Sequence, residues 1–352
     1  MNIVSLILLA VTLGCTTGNV PVLTATPTHS LPEPITSETP FPSPTQGINS
    51  DPVITPTLTT PKPPSGQLTL MAVGDIMLAR TLGDQIIKGG PGVPFAHTST
   101  LLNSADISLG NLECSISERG IAEDKTYTFR APLVSADSLV SGGFDLLTLA
   151  NNHVLDFGVD ALADTIELLT VKGIETVGAG MNIEEARSPV LMERNGLRLA
   201  FLAYLDIPRW NYDYLTWIAT ADKPGVSWGY LSNIMEDVQA ASQIADVVIV
   251  LMHFGTEGEV QPSYQQILSA HTAIDAGAKL VIGSHTHLLQ PIEEYNDGLI
   301  VYNLGNFVFD EFGDLENESA IFKALISKDG VIAYEMLPVF IQESGLPILT
   351  DR

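Results

Sequence analysis

From Gln67 onward, short apolar runs rich in Val, Ile and Leu alternate with longer stretches whose apolar residues recur at helical spacing. Strands buried on both faces read as near-continuous apolar runs, whereas the helices covering them show one apolar stripe, so the pattern is that of layered α/β structure. It predicts strands at 68–74, 106–110, 144–150, 197–205, 246–253 and 278–284, and helices at 135–142, 157–172, 231–244 and 262–277. Later apolar runs at 299–305, 320–327 and 331–341 read as antiparallel strands, with Asn296-Asp297-Gly298 and Lys328-Asp329-Gly330 as turn signals. One folded domain is expected over 67–345, with 346–352 as a tail.

Ahead of Gln67 the alternation stops. Residues 16–66 hold more than half of the 22 prolines, with Thr and Ser filling most gaps. Such a segment buries too little apolar surface to offset its ordering entropy, and it reads as a disordered linker. The apolar run before it, Ile3 to Gly14, is too short to span a bilayer, which takes about 20 helical residues. It fits an export signal over 1–15. Its end, "VTLGC", resembles the lipobox of bacterial lipoproteins, which implies a lipidated Cys15 and an extracytoplasmic chain anchored to the bacterial cell membrane. Plain secretion and a signal retained as an anchor stay open: Thr12 stands where an aliphatic residue is usual, and no Lys or Arg precedes the apolar run.

Charge narrows the partners. The net charge is −25, so self-sign repulsion argues against nucleic acid and against a polyanion spread over a broad surface. An anionic ligand would have to be met locally, most simply through a bound cation. Cys114 is the only cysteine besides Cys15, and no disulfide is expected in the mature domain.

The chemistry gathers behind the strands. The run "LMAVG" is followed by Asp75, "DISLG" by Asn111 and Glu113, and "FDLLTLA" by Asn151, Asn152 and His153. "DVVIVLM" is followed by His253, and "KLVIG" by His285 and His287. In open α/β sheets the carboxyl ends of strands form the ligand crevice, so groups far apart in sequence can meet there. Five strand ends carrying metal-ligand residue types predict a metal site.

Nine motifs in order, among them "AVGDIMLAR", "ADISLGNLE", "LANNHVLDFG", "LMHFGTEGE", "DAGAKLVIGSHTHLLQPIE" and "VYNLGNFVFD", resemble the CapA-type proteins of capsule and poly-γ-glutamate biosynthesis over residues 68 to 345. That family in turn is similar to the calcineurin-like metallophosphoesterases. The resemblance implies an α/β fold, a sandwich of two mixed β-sheets flanked by helices (αββα). It implies one or two divalent ions, with Asp75 and His287 on the first, Asn152, His253 and His285 on the second, and Glu113 bridging. Carboxylate with imidazole suits Mn, Fe or Zn, and paired ions need a bridging oxyanion. His153 would serve as general acid or as donor to a developing oxyanion. Met77 stands where phosphoesterases place a further histidine, and a thioether is a poor ligand for a hard ion.

Arg80, Arg130, Glu257 and Asn306 fall in the same motifs and are candidate substrate contacts. The resemblance further implies action on a phosphorylated or amide-linked envelope compound, polymer synthase subunits as partners, and a role at the membrane. The alternative is an anchored, non-catalytic subunit that binds an anionic polymer in a synthesis or export complex.

Overall fold

Both faces of the central strands are covered, which is why their sequences are apolar at nearly every position. Along Gln67–Ile76, Leu68, Leu70 and Ala72 point to one side, whereas Met71 and Val73 point to the other. Along Val247–Phe254, Val247, Ile249 and Leu251 face the same interior as Leu68 and Leu70, and Val248, Val250 and Met252 face away. Two sheets therefore share one core, and each has a second core beneath helices.

The computed structural model describes residues 64–208, 213–310, 313 and 315–351, and Leu58–Arg352 is one compact unit. The expected signal, Cys15 and the linker as far as residue 63 lie outside the described residues. The first sheet runs in the order Pro347–Leu349, Gly330–Ile341, Glu318–Ser327, Gln67–Ile76, Ile107–Leu112, Leu146–Thr148, Glu175–Val177, and Asn306–Val308 pairs alongside Gln67–Ile76. Its last four strands are mutually parallel and the C-terminal three antiparallel. The second sheet runs Leu289–Tyr295, Gly298–Leu304, Leu280–Ser284, Val247–Phe254, Leu197–Asp206, Val190–Arg194, parallel at its centre and antiparallel at both edges.

Helices Arg80–Gly89, Ser135–Gly142 and Gly158–Val171 pack on the outer face of the first sheet through Leu82, Ile86, Leu139, Leu162 and Leu169. Leu231–Ala241 and Tyr264–Asp275 cover the second through Ile234, Val238, Ala270 and Ala273. This is the expected αββα sandwich. Among the described residues no helix is long and apolar enough to cross a membrane.

Several details differ from the pattern reading. The run at 299–305 is only half antiparallel: Gly298–Leu304 pairs antiparallel with Leu289–Tyr295 through the Asn296 turn, yet parallel with Leu280–Ser284. The segment read as a tail adds the edge strand Pro347–Leu349. The linker's end is tied down, since the Gly66 N–H donates to the Asn195 carbonyl. Helix Arg80–Gly89 escapes the pattern, because glycines and charges dilute its apolar face to Leu82, Gly83 and Ile86.

Glycine is obligatory at two places that shape the functional end. A Cβ on Gly74 would lie 1.8 Å from the Gly305 carbonyl oxygen, and one on Gly283 would lie 1.9 Å from that of Tyr302. These close approaches draw the strand ends carrying Asp75 and Ser284-His285 against their neighbours.

Candidate metal centre

Strand register sets the first groups level. Asp75 pairs with Asn111 on one side and Asn306 on the other, and His253 pairs with Ser284 in the second sheet. Side chains then cross the seam between the sheets. The Asn111 amide donates to Asp75 Oδ1 at 2.8 Å and sits 3.2 Å from His253 Nδ1, and the His285 N–H donates to Asp75 Oδ2 at 3.1 Å. Asn151 fixes Asn111 in turn, donating to its side-chain oxygen at 3.0 Å and to the Leu112 carbonyl.

The two histidines of the "SHTH" turn diverge for a backbone reason. His285 and His287 have φ of 99° and 61°, in the left-handed region that non-glycine residues rarely enter. A left-handed turn, not the side-to-side alternation of a strand, thus sends the rings apart, with centroids 6.3 Å from one another. Such strain persists only where surrounding structure compels it, and it collects at functional sites.

Ligand atoms meet in two sets that share one carboxylate. Glu113, His253 and His285 offer atoms within 4.8 Å of one another, and so do Asp75, Glu113 and His287. Asn152 Oδ1 lies 2.9 Å from His253 Nε2, on the side of the first set. All these residues are buried. Two side-chain atoms of these residues, Glu113 Oε1 and His285 Nδ1, have no hydrogen-bond partner among the described residues. Buried polar atoms are nearly always paired, so two unpaired ones within a cluster of ligand types make this a candidate place for a cation.

Electrostatics agrees with that reading. Burial pushes the Glu113 carboxyl well above the usual carboxylate range, and the charges of Asp75 and Glu257 add to it. Burial also raises Asp75, against the pull of His287 and the Asn111 hydrogen bond. Burial, with neighbouring imidazoles adding, holds His253 and His285 well below the usual imidazole range. Neutral imidazole is the ligand form, and a nearby cation is what returns the two carboxyl groups to the ionised form. Ligand orientation is prepared as well: Ser284 Oγ lies 2.9 Å from His253 Nδ1, and Asn306 Oδ1 lies 2.8 Å from His287 Nδ1.

His153 stands beside the cluster. Its Nε2 is 3.9 Å from Glu113 Oε1, and its Nδ1 is 2.7 Å from Asp156 Oδ2. Asp156 also accepts the Phe129 N–H at 2.7 Å and the Lys125 ammonium at 2.6 Å. The ring stacks on Phe129, with centroids 4.1 Å apart. A crevice of about 270 Å³ leads in, lined by Asn152, His285, Ile207, Pro208, Tyr214 and Glu257.

Of the remaining expected contacts, the two arginines lie apart from the crevice, whereas Asn306 and Glu257 do not. Arg80 pairs with Asp310 at 2.7 Å and lies over Phe129; Arg130 donates to the Arg119 carbonyl and lies over Phe157. Both line a separate hollow with Asp84 and Glu118. Asn306 is fully buried, with its Oδ1 on His287 Nδ1. Glu257 lines the crevice.

Met77 is fully buried in the core under the first sheet, and its sulfur accepts from the Ala79 N–H. Cys114 is buried in the same core, its thiol pushed up to about 12 by burial. His271 is bound to Glu293, away from the cluster. Sequence reasoning left out Asp156 and Lys125. The first had a signal, a carboxylate three residues after His153; the second had none.

Fold and site together define a two-sheet αββα sandwich with a carboxylate–imidazole centre at the strand ends. The chain belongs to the bacterial capsule synthesis protein PGA_cap family, whose pattern matches residues 69–311. It is 31% identical over 287 residues to the capsule biosynthesis protein CapA of Bacillus anthracis, covering 79% of this chain and 69% of that one. It is 30% identical over 280 residues to the PGA biosynthesis protein CapA of Bacillus subtilis, covering 79% and 72%. Among solved structures, a hypothetical protein from Thermus thermophilus aligns with a TM-score of 0.49 at 15% identity, over 77% of this chain and 98% of that one.

Proposed function

We propose that this chain acts in capsule or poly-γ-glutamate production at the outer face of the cell membrane, as a metal-dependent hydrolase of a phosphorylated or amide-linked envelope compound. The observation that carries the reading is the pair of ligand sets joined at Glu113, with Glu113 Oε1 and His285 Nδ1 buried and unpaired among the described residues. Asp75, Glu113 and His287 would hold one ion, and Glu113, Asn152, His253 and His285 a second; this donor set fits Mn, Fe or Zn. When bound, such ions polarise a phosphoryl or acyl oxygen and make water a nucleophile near neutral pH.

The chain's own residues supply the proton chemistry. Asp156 already takes donors from Lys125 and Phe129, so its carboxylate accepts from His153 Nδ1, and Nε2 is the atom turned to the centre. Asp156 stabilises the imidazolium, the form that gives a proton from Nε2 to a leaving group. Burial lowers the His153 pKa against that stabilisation, so the proton is readily released. Family kinship to proteins of polymer synthesis supports synthase subunits as partners, and "VTLGC" supports attachment through a lipidated Cys15. The non-catalytic reading has less support, because His153 is held by Asp156 beside the centre in the arrangement of a proton donor, which polymer binding does not need.

The test uses purified chain supplied with Mn, Fe or Zn. His253→Ala with His285→Ala removes most of the metal by elemental analysis, whereas His153→Ala keeps it and abolishes hydrolysis of a phosphodiester or γ-glutamyl probe. Unchanged metal content in the double variant ends the site assignment. A wild type that turns over no probe leaves the binding subunit as the better reading.

A further inference from the structure

A lysine is an improbable residue to bury beside a cation site, because its own charge works against the incoming ion. Lys125 is nevertheless almost wholly buried, its side chain 6% exposed. Its partners come well after it in the chain, Asn152 by 27 residues and Asp156 by 31. The ammonium binds Asp156 Oδ1 at 2.6 Å and also donates to the main-chain carbonyl of Asn152. Two rings enclose it, Trp217 at 4.7 Å and Tyr214 at 5.2 Å from ring centre to nitrogen. Burial lowers its pKa, and the Asp156 carboxylate opposes that shift. The pair is buried, so the ammonium also offsets the charge of the Asp156 carboxylate, and a positioning role has to be separated from that contribution to stability.

The contacts divide between two tasks. Asp156 has one oxygen on Lys125 and the other on His153 Nδ1 and the Phe129 N–H. Without Lys125 the Asp156 Oδ1 loses that donor and the Phe129 N–H is left to orient the carboxylate, so the hydrogen bond that fixes the His153 ring loosens. The Asn152 carbonyl belongs to the residue whose side chain reaches His253 Nε2, so the same ammonium also pins the peptide between a ligand and the proton donor. We propose that Lys125 is a positioning residue that locks His153 through Asp156 and Asn152 through its carbonyl, held in place by the Tyr214 and Trp217 rings. This deepens the hydrolase reading and rests on it for its catalytic consequence, though the positioning itself can be measured without turnover.

The test compares the full chain with Lys125→Met, loaded with Zn. Nitrogen-15 histidine spectra read the proton on His153 Nδ1, assigned by its loss in His153→Gln. Lys125→Met is expected to keep its metal, to lose or broaden that signal, and to lower turnover of bis-p-nitrophenyl phosphate about 100-fold at unchanged KM. Propylamine added to Lys125→Ala is expected to restore the signal and part of the rate, which also serves if the methionine variant does not fold. A folded variant with the His153 signal intact, and only its Tm lowered, overturns the proposal. If wild type turns over no phosphodiester, the hydrolase reading fails while the spectra alone still decide the positioning role.

Discussion

At the scale of single residues, the candidate centre keeps a carboxyl group buried at a cost in stability. Glu113 is buried, and its pKa is raised well above the ordinary value of 4.5. In chelated protein the folded state therefore holds its proton to higher pH than the unfolded state does. By linkage, stability falls as pH rises from about 4.5 through that raised value. Glu113→Gln removes this penalty: chelated Glu113→Gln is expected to be more stable than chelated wild type at pH 7.5 by about 2 kcal/mol in urea titrations. The same substitution abolishes the rise in Tm that Zn or Mn gives the wild type. In wild type that rise shrinks as pH falls toward 5, because protons compete for the carboxylates and imidazoles. A chelated variant less stable than wild type would show that Glu113 serves packing instead. Asp156→Asn is expected to retain metal and lose turnover about 100-fold, since an amide cannot stabilise the imidazolium as a carboxylate does.

At the scale of elements, caps and close contacts hold the strand ends together. Helix Tyr264–Asp275 starts with a capping box: Ser263 accepts from the Gln266 N–H, and the Gln266 side chain accepts from the Ser263 N–H. Gln266 then donates to Gln290, which donates to the Glu259 carbonyl, and the Gly258 N–H donates to the Thr286 carbonyl. The loop carrying Glu257 is thereby fastened to the turn carrying His285 and His287. Ser263→Ala is expected to cost about 1 kcal/mol, read as a lower Tm with metal content unchanged. A substitution at Gly283 is expected to do far more, because its Cβ would collide with the Tyr302 carbonyl directly beside the "SHTH" turn. These links are invisible in an apolar pattern, which locates Tyr264–Asp275 but says nothing of what its first residues hold.

At the scale of the whole molecule, a net charge of −25 gives no broad attraction to an anionic surface, so the proposed place at the membrane would need an anchor. Cys15→Ser is expected to move the protein from the membrane fraction to the soluble extracytoplasmic fraction; a chain that stays with the membrane would indicate a retained signal. Most central strands and four of the helices were legible in the sequence, because a strand covered on both faces must be apolar throughout and a covering helix must show a stripe. The short edge strands Val190–Arg194, Leu289–Tyr295 and Pro347–Leu349 were not, since an edge with one covered face leaves a weak pattern. The residue types of the centre were likewise on view as groups following strands, as were the family motifs. Only the tertiary structure could decide which side chains share a point in space. It brought Asp75, Glu113, Asn152, His253, His285 and His287 together, gave Asn306 to His287 and Arg80 to Asp310, and placed Lys125 behind His153. The physical reason is that hydrophobic periodicity is a property of neighbours along the chain. Coordination and hydrogen bonding depend on distances between segments, and those are set by sheet register, by two left-handed histidines and by glycines that let backbones touch.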